Sequence, residues 1–226
     1  MPGSLYIVST PIGNLKDITL RAIEILKEVD FIICEDTRVT SVLLKNYDIK
    51  KELVSMNART ESKKIPGLIE RINKGENCAL VSDAGTPSVS DPGVRLISTA
   101  IKNDIKVVPV PGASAFITAL SISGLPTDSF VFEGFLPQKK GRNKKLKQLS
   151  EEERTIIIYE SPYRIEKLLK ELHEFMPERF VVLCRELTKK FEEVRRGSPK
   201  ELLETFNKSV NKGEFVIIIA PKNWKA

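Results

Sequence analysis

Cys78-Ala79-Leu80-Val81-Ser82-Asp83-Ala84-Gly85-Thr86-Pro87-Ser88-Val89-Ser90-Asp91-Pro92-Gly93 is the stretch on which the fold turns. Cys78–Val81 is an apolar run with the length and flanks of a short buried strand. Asp91-Pro92 reads as a capping carboxylate followed by proline at the first helical position. The loop between them is long, rich in small side chains and tied to regular structure at both ends. Small side chains let a ligand approach the backbone, whose N–H groups can then hold polar ligand atoms. An ordinary strand-to-helix connection has the same outline. Two further loops of this kind, Ser9-Thr10-Pro11-Ile12-Gly13-Asn14 and Val110-Pro111-Gly112-Ala113-Ser114-Ala115, stand at corresponding places in the chain.

Outward from this stretch, short apolar runs alternate with helical periodicity. Leu5–Ser9 and Phe31–Cys34 are strands, and between them Asp17 is expected to cap a helix carrying Ile18, Ala22, Ile25 and Val29 on one face. Ile65, Leu68, Ile69 and Ile72 form a second stripe, stopped by Gly75. After the central loop come a helix with Val94, Ile97 and Ile101, a strand at Ile105–Val110 and a helix at Ala113–Ser123. This order predicts a mostly parallel sheet covered on both faces, with ligands bound outside the carboxyl ends of its strands.

Gly124-Leu125-Pro126-Thr127-Asp128 reads as a linker between an N-terminal domain, 1–123, and a C-terminal domain, 129–226. In the second half Phe130–Glu133, Thr155–Tyr159, Phe180–Cys184 and Phe215–Ala220 are strands. Ile165, Leu168, Leu169, Leu172 and Met176 make a helical stripe, and Ser198-Pro199-Lys200-Glu201 has the form of a capping box. The expectation is two α/β domains, the first sheet mostly parallel and the second mixed, with a cleft between them.

Composition narrows the class. The chain has 226 residues, 41% hydrophobic and 29% charged, as in ordinary globular proteins. Lys and Arg number 36 against 30 Asp and Glu, a net charge of +6 that suits a polyanionic partner. No apolar run approaches the roughly 18 residues of a membrane span. Cys34, Cys78 and Cys184 sit far apart in apolar runs and read as buried thiols of a cytosolic protein, with no metal site. Phosphate-loop, dinucleotide and nucleophile-elbow motifs are absent. The one histidine, His173, reads as a surface residue, which leaves no triad to build.

What remains for chemistry is a set of carboxylates at strand ends. Glu35-Asp36-Thr37-Arg38 follows a strand directly, as site residues do in open α/β sheets. Equally, it has the form of a helix start whose acids complement the macrodipole. Asp83 and Asp91 face the same choice, with Asp91 read as the structural cap. Glu160, at the end of another strand, is a third candidate beside Ser161-Pro162. Gln138–Lys147 carries six positive charges in ten residues, either a solvated face or a phosphate-binding one.

Leu5–Leu15, Glu35–Arg38, Ser82–Gly93 and Pro109–Gly112, followed by Glu133–Pro137, Tyr159–Ser161 and Arg185–Lys189, together resemble the ribosomal RNA small subunit methyltransferase I family of the tetrapyrrole-methylase superfamily. The resemblance spans about Leu5 to Pro221. It implies S-adenosylmethionine bound in an interdomain cleft, a homodimer, and methylation of a cytidine ribose 2′-oxygen in the decoding region of the small-subunit RNA. It places the cofactor at Pro11 and Ile12, at Asp83, Ala84, Gly85, Thr86 and Val89, and at Ser114 and Ala115. Tyr159, Leu187 and Ala220 are expected as the C-domain wall. A general base is sought first at Glu35 or Asp36, then Glu160. Arg38, Arg59, Lys139, Lys140, Arg142, Lys144 and Lys145 are the expected RNA contacts. Where family members carry His-x-His-Asn, this chain has Asn57-Ala58-Arg59-Thr60, which puts any role of those imidazoles in doubt. A small-molecule methyltransferase of the same superfamily, on a tetrapyrrole for example, is the second reading, and a non-catalytic RNA-binding module the third.

Overall fold

The computed structural model describes residues 1–206 and 212–225. The chain divides into two compact units, Met1–Ser114 and Ala115–Ala226. Each is built on a sheet of five strands among the described residues.

The first unit runs β1 (Ser4–Val8), α1 (Leu20–Glu28), β2 (Phe31–Cys34), α2 (Thr37–Asn46), β3 (Glu52–Ser55), α3 (Glu61–Asn73), β4 (Cys78–Leu80), α4 (Val94–Lys102) and β5 (Lys106–Val110). Its strands are all parallel, in the order β3-β2-β4-β1-β5. Side chains alternate across a strand. Phe31 and Ile33 therefore join Leu5, Leu80, Leu68 and Leu96 on one face, under α3 and α4. Ile32 and Cys34 join Val8, Val110, Ala22 and Leu44 on the other, under α1 and α2. Burial on both faces explains why these strands read as unbroken apolar runs.

From β1 the chain crosses to β2 on one side, whereas from β4 it crosses to β5 on the other. The adjacent carboxyl ends of β1 and β4 therefore form a topological switch point, where such sheets bind ligands.

Three local expectations change. Leu15–Asp17 is a short 3-10 turn, and Thr19 rather than Asp17 caps α1, its hydroxyl accepting from the Ala22 N–H at 3.1 Å. Asp91 does not cap α4: Gly93 stands at that position, and Glu61 Oε1 accepts from the N–H groups of Gly93 at 3.2 Å and Leu96 at 3.4 Å. A carboxylate from the neighbouring helix thus does the work expected of a local one. Finally, α4 buries Leu96 and Ala100, leaving Val94 and Ile101 each 60% exposed.

The second unit opens with α5 (Ala115–Ser121), which packs on its own sheet, with Phe116 stacked on Phe132 at 4.5 Å. The Gly124–Asp128 segment, expected to separate the domains, is therefore a connection inside this unit. It is held by burial of Leu125 and a hydrogen bond from the Thr155 hydroxyl to the Pro126 carbonyl. The elements that follow are β6 (Phe130–Phe135), α6 (Arg142–Leu149), β7 (Thr155–Glu160), α7 (Ile165–Phe175), β8 (Val181–Arg185), β9 (Glu193–Gly197), α8 (Pro199–Glu204) and β10 (Phe215–Ile219).

This sheet is mixed, in the order β6-β7-β10-β8-β9. β6 and β7 are parallel, and β10 is antiparallel to both β7 and β8. The carboxyl ends of β6, β7 and β8 consequently share one edge. The α7 stripe is buried as its periodicity requires, and the Ser198–Glu201 capping box forms. β9 is polar in sequence because, in the described sheet, it is an edge strand paired only to β8.

Candidate functional site

Three loops of the first unit meet at the switch point through hydrogen bonds rather than mere proximity. Thr10 and Gly85 exchange backbone bonds, Thr10 N–H to Gly85 O at 2.9 Å and Gly85 N–H to Thr10 O at 3.0 Å. The Thr10 hydroxyl donates to Ser82 O at 3.1 Å, and the Ser82 hydroxyl to Gly85 O at 3.1 Å. The Thr86 hydroxyl donates to Ala113 O at 3.2 Å, so its 3.0 Å contact with Ser9 leaves the Ser9 hydroxyl as donor. The loops after β1, β4 and β5 are thereby joined.

Small residues make this closeness possible. A Cβ on Gly112 would lie 2.8 Å from Ser9 Cβ, and Gly85 adopts φ +87° with Ile12 Cγ2 beside its missing side chain. Ser88 and Ser90 also hold positive φ, 68° and 64°, an uncommon state for non-glycine residues that clusters at ligand-binding loops. Among the expected cofactor residues, Pro11, Ile12 and Gly85 are buried in the junction. Asp83 and Ala84 are exposed at its rim, and Thr86 and Val89 are half-buried. Ser114 closes the first unit and Ala115 opens α5. Ser9, Thr10 and Ser82, which tie the junction, were legible only as small hydroxyl residues within the quoted loops.

Acids gather at the same strand ends. Asp83 Oδ1 accepts from the Asp36 N–H at 3.1 Å, joining the β2 and β4 loops. Asp36 caps α2 and grips Arg38, whose side-chain hydrogen bonds hold the Asp36 carboxyl down at about 2. Glu35 is different. It is half-buried, makes no hydrogen bond or ion pair with another described residue, and its carboxyl is pushed up by burial and then by the charges of Asp83 and Asp36. Asp91, released from the capping role, is pushed up to about 6 by burial and then by Glu35, against the opposing influence of the Ser82 side chain. Asn57, standing in the histidine-replacing stretch, starts the turn into α3: its Oδ1 accepts from the N–H groups of Arg59 and Thr60, both at 3.1 Å.

The second-unit candidates do not come together as expected. Tyr159 lies near the carboxyl end of β7, where its hydroxyl accepts from the Phe116 N–H at 3.2 Å, and Leu187 follows β8 at the same edge. Ala220 directly follows β10, which runs the other way. It is fully buried at the opposite edge, with its carbonyl accepting from Arg179 at 3.1 Å. Antiparallel pairing thus removes Ala220 from the wall containing the other two. Glu160 is also sealed in the core, bound by Arg164 at 2.7 Å and Arg142 at 3.4 Å.

The same contacts correct the basic cluster. Arg142 is buried and engaged by Glu171, Glu160 and the Pro137 carbonyl, so it is unavailable to a phosphate. Lys145 pairs with Glu133 at 2.7 Å. Lys139, Lys140 and Lys144 are exposed, as is Arg59; the Arg38 side chain is 88% exposed while holding Asp36. Among the described residues no group of three His, Cys, Asp or Glu side chains is placed to hold a metal, and no helix is long and apolar enough to cross a membrane.

A family model described as tetrapyrrole (corrin/porphyrin) methylases matches residues 4–203. Ribosomal RNA small subunit methyltransferase I of Halalkalibacterium halodurans is 48% identical over 218 residues, covering 96% of this chain and 75% of that protein. Its namesake from Thermotoga maritima is 44% identical over 220 residues, covering 97% and 99%. Among solved structures, uroporphyrin-III C-methyl transferase from Thermus thermophilus complexed with S-adenyl homocysteine superposes with a TM-score of 0.67 at 18% identity, covering 96% of this chain and 97% of that one. The chain belongs to the tetrapyrrole methylase family, among the ribosomal RNA small subunit methyltransferase I proteins.

Proposed function

We propose that the protein methylates the ribose 2′-oxygen of a cytidine in small-subunit ribosomal RNA, with S-adenosylmethionine as donor. One observation carries the donor site: the hydrogen-bonded junction of three small-residue loops at the β1/β4 switch point. The RNA substrate is supported by relatives at 44–48% identity over nearly the whole chain. The tetrapyrrole reading is carried by the description of the wider family model and by a likeness of fold at 18% identity, whereas the relatives at 44–48% identity are named for ribosomal RNA.

The residues present suit such a donor. Pro11 and Ile12 offer an apolar wall, and Gly85, whose missing Cβ would lie 3.4 Å from Ile12 Cγ2, brings backbone close against it. When bound, the donor supplies an electrophilic methyl group, so alignment and exclusion of water carry most of the rate. Glu35 takes the proton of the ribose hydroxyl. Its carboxylate is half-buried at a strand end and free of internal partners among the described residues, and its raised pKa strengthens it as a base. Asp36 is unsuited, since Arg38 and the start of α2 occupy its oxygens. Exposed Lys139, Lys140, Lys144 and Arg59 meet phosphates. The protein acts in the cytosol as a homodimer, and Val94 and Ile101 of α4 are exposed apolar side chains for such a contact to bury.

The test is transfer of labelled methyl to undermodified small ribosomal subunits, with free RNA and a tetrapyrrole as controls. Label in subunit RNA supports the reading; label only in the tetrapyrrole defeats it. Gly85→Trp should abolish donor binding measured by calorimetry on the folded variant, and unchanged affinity would remove the junction as the donor site.

A further inference from the structure

The aromatic residues of the chain divide sharply by exposure. Among the described residues just three are exposed: Phe135 at 53%, Tyr163 at 89% and Phe191 at 65%. All three belong to the second unit, at one edge of its sheet. Phe135 ends β6, Tyr163 lies in the turn after β7, and Phe191 lies in the loop after β8. Since these strands point the same way, their three carboxyl-end segments stand side by side.

Neighbouring strands lie about 4.8 Å apart. With β10 between β7 and β8, the edge from β6 to β8 spans roughly 15 Å. Nucleotides along one strand of a duplex advance about 3.4 Å each, so this span suits a few stacked or splayed bases. Phe135 also lines a cavity of about 370 Å³ with Lys144, Lys145 and Gln148. Lys139 and Lys140 are exposed just beyond β6, and the Lys190 ammonium lies 5.6 Å from the centre of the Phe191 ring. Exposed rings interleaved with cations fit a ligand having flat faces and a polyanionic backbone. An apolar protein surface accounts for the rings but leaves the lysines unmatched.

We infer that this edge is a stacking platform for single-stranded RNA, with bases on Phe135, Tyr163 and Phe191 and the backbone following the lysines. The inference rests on the reading of the substrate as RNA and adds where, and in what form, that RNA is held. Single strands and loops are the form proteins can stack on, because duplex bases are already stacked on one another.

The test uses the full-length protein and a fluorescent single-stranded RNA of about ten nucleotides, with a duplex of the same sequence as control. Phe135→Ala, Tyr163→Ala and Phe191→Ala should each weaken single-strand binding by about fivefold to a hundredfold, the range for base–aromatic stacking. The salt dependence should not change, since no phosphate contact is lost, and Phe135→Trp should retain binding. Thermal melting and donor binding check that each variant is folded. Single-strand affinity unchanged in all three alanine variants overturns the platform, as does equal binding of the duplex. Loss of self-association with RNA affinity intact also overturns it, and assigns the rings to a contact between copies. Subunit methylation by the wild-type protein is scored separately, so the platform can fail while the methyltransferase reading stands, and the converse.

Discussion

Glu35 and Glu160 occupy a similar sequence context, each at the carboxyl end of an apolar strand, yet the two units treat them oppositely. Glu35 follows β2 at an edge built of small residues, where the nearest charges are the acids Asp83, Asp36 and Asp91. Glu160 is enclosed by Arg142 from α6 and Arg164 from the turn before α7, and its Oε1 also accepts from the Ser161 N–H at 2.8 Å. One carboxylate is left without a hydrogen-bond or ion-pair partner among the described residues, while the other is consumed in holding helices to a sheet. The lesson is that a strand end offers a place for chemistry, and the surrounding charges decide whether that place is used.

The largest effect expected from breaking this contrast is on stability, in the second unit. Glu160→Gln leaves two guanidinium groups facing a neutral amide inside the core. Removing one partner of such a buried network typically costs about 3–5 kcal/mol. Denaturant unfolding should record a loss of that size, and a variant as stable as wild type would return Glu160 to the list of possible bases.

Glu35→Gln should do the reverse. A general base contributes about two to four powers of ten in rate, so methyl transfer should fall at least about a hundredfold while melting temperature and donor affinity hold. The wild-type rate should rise with pH through a limb above the usual glutamate range, because burial and neighbouring acids hold Glu35 protonated longer. Rates within about threefold of wild type, or a limb that survives the substitution, would exclude Glu35 as the base.

A smaller effect concerns Asp91 and its pH dependence. Its carboxyl is raised from 3.8 unfolded to about 6 folded, so the folded state binds the proton more tightly. Stability from this group is therefore present below pH ~4 and lost as pH rises through ~6, by at most about 3 kcal/mol. Asp91→Asn should flatten that decline, with little change at pH 4 and a gain at pH 8. Parallel stability curves for the two proteins would show that Asp91 is not held in this way.

The smallest effect is expected at Asp36. Asparagine caps helices about as well as aspartate, so Asp36→Asn should keep methyl transfer within about threefold of wild type. A hundredfold loss there would move the proton-accepting role from Glu35 to its neighbour.

The architecture was legible because it is written in local patterns. Apolar runs such as Phe31–Cys34 and helical stripes such as Ile165–Met176 report burial through their period, and the capping box at Ser198 needs only four residues to recognise. The three small-residue loops were legible for the same reason, as breaks between those patterns. The boundary at Ser114 was not: Gly124–Asp128 has the composition of a linker, and only the packing of α5 on β7 and β10 shows that it is not one.

Sequence alone therefore determined the apolar strands and the striped helices, though not the polar edge strands β3 and β9, and which loops are built of small residues. Tertiary structure decided the role of the charged residues whose partners lie far along the chain. Arg142 sits in a strongly basic run, and Asp91 precedes a proline as a cap would. Both were redirected by partners distant in the chain: Glu171 enclosed Arg142, and Glu61 took over the cap of α4. Hydrophobic burial follows the local period of the chain, whereas the state of a charge depends on whatever the fold brings within a few ångströms of it.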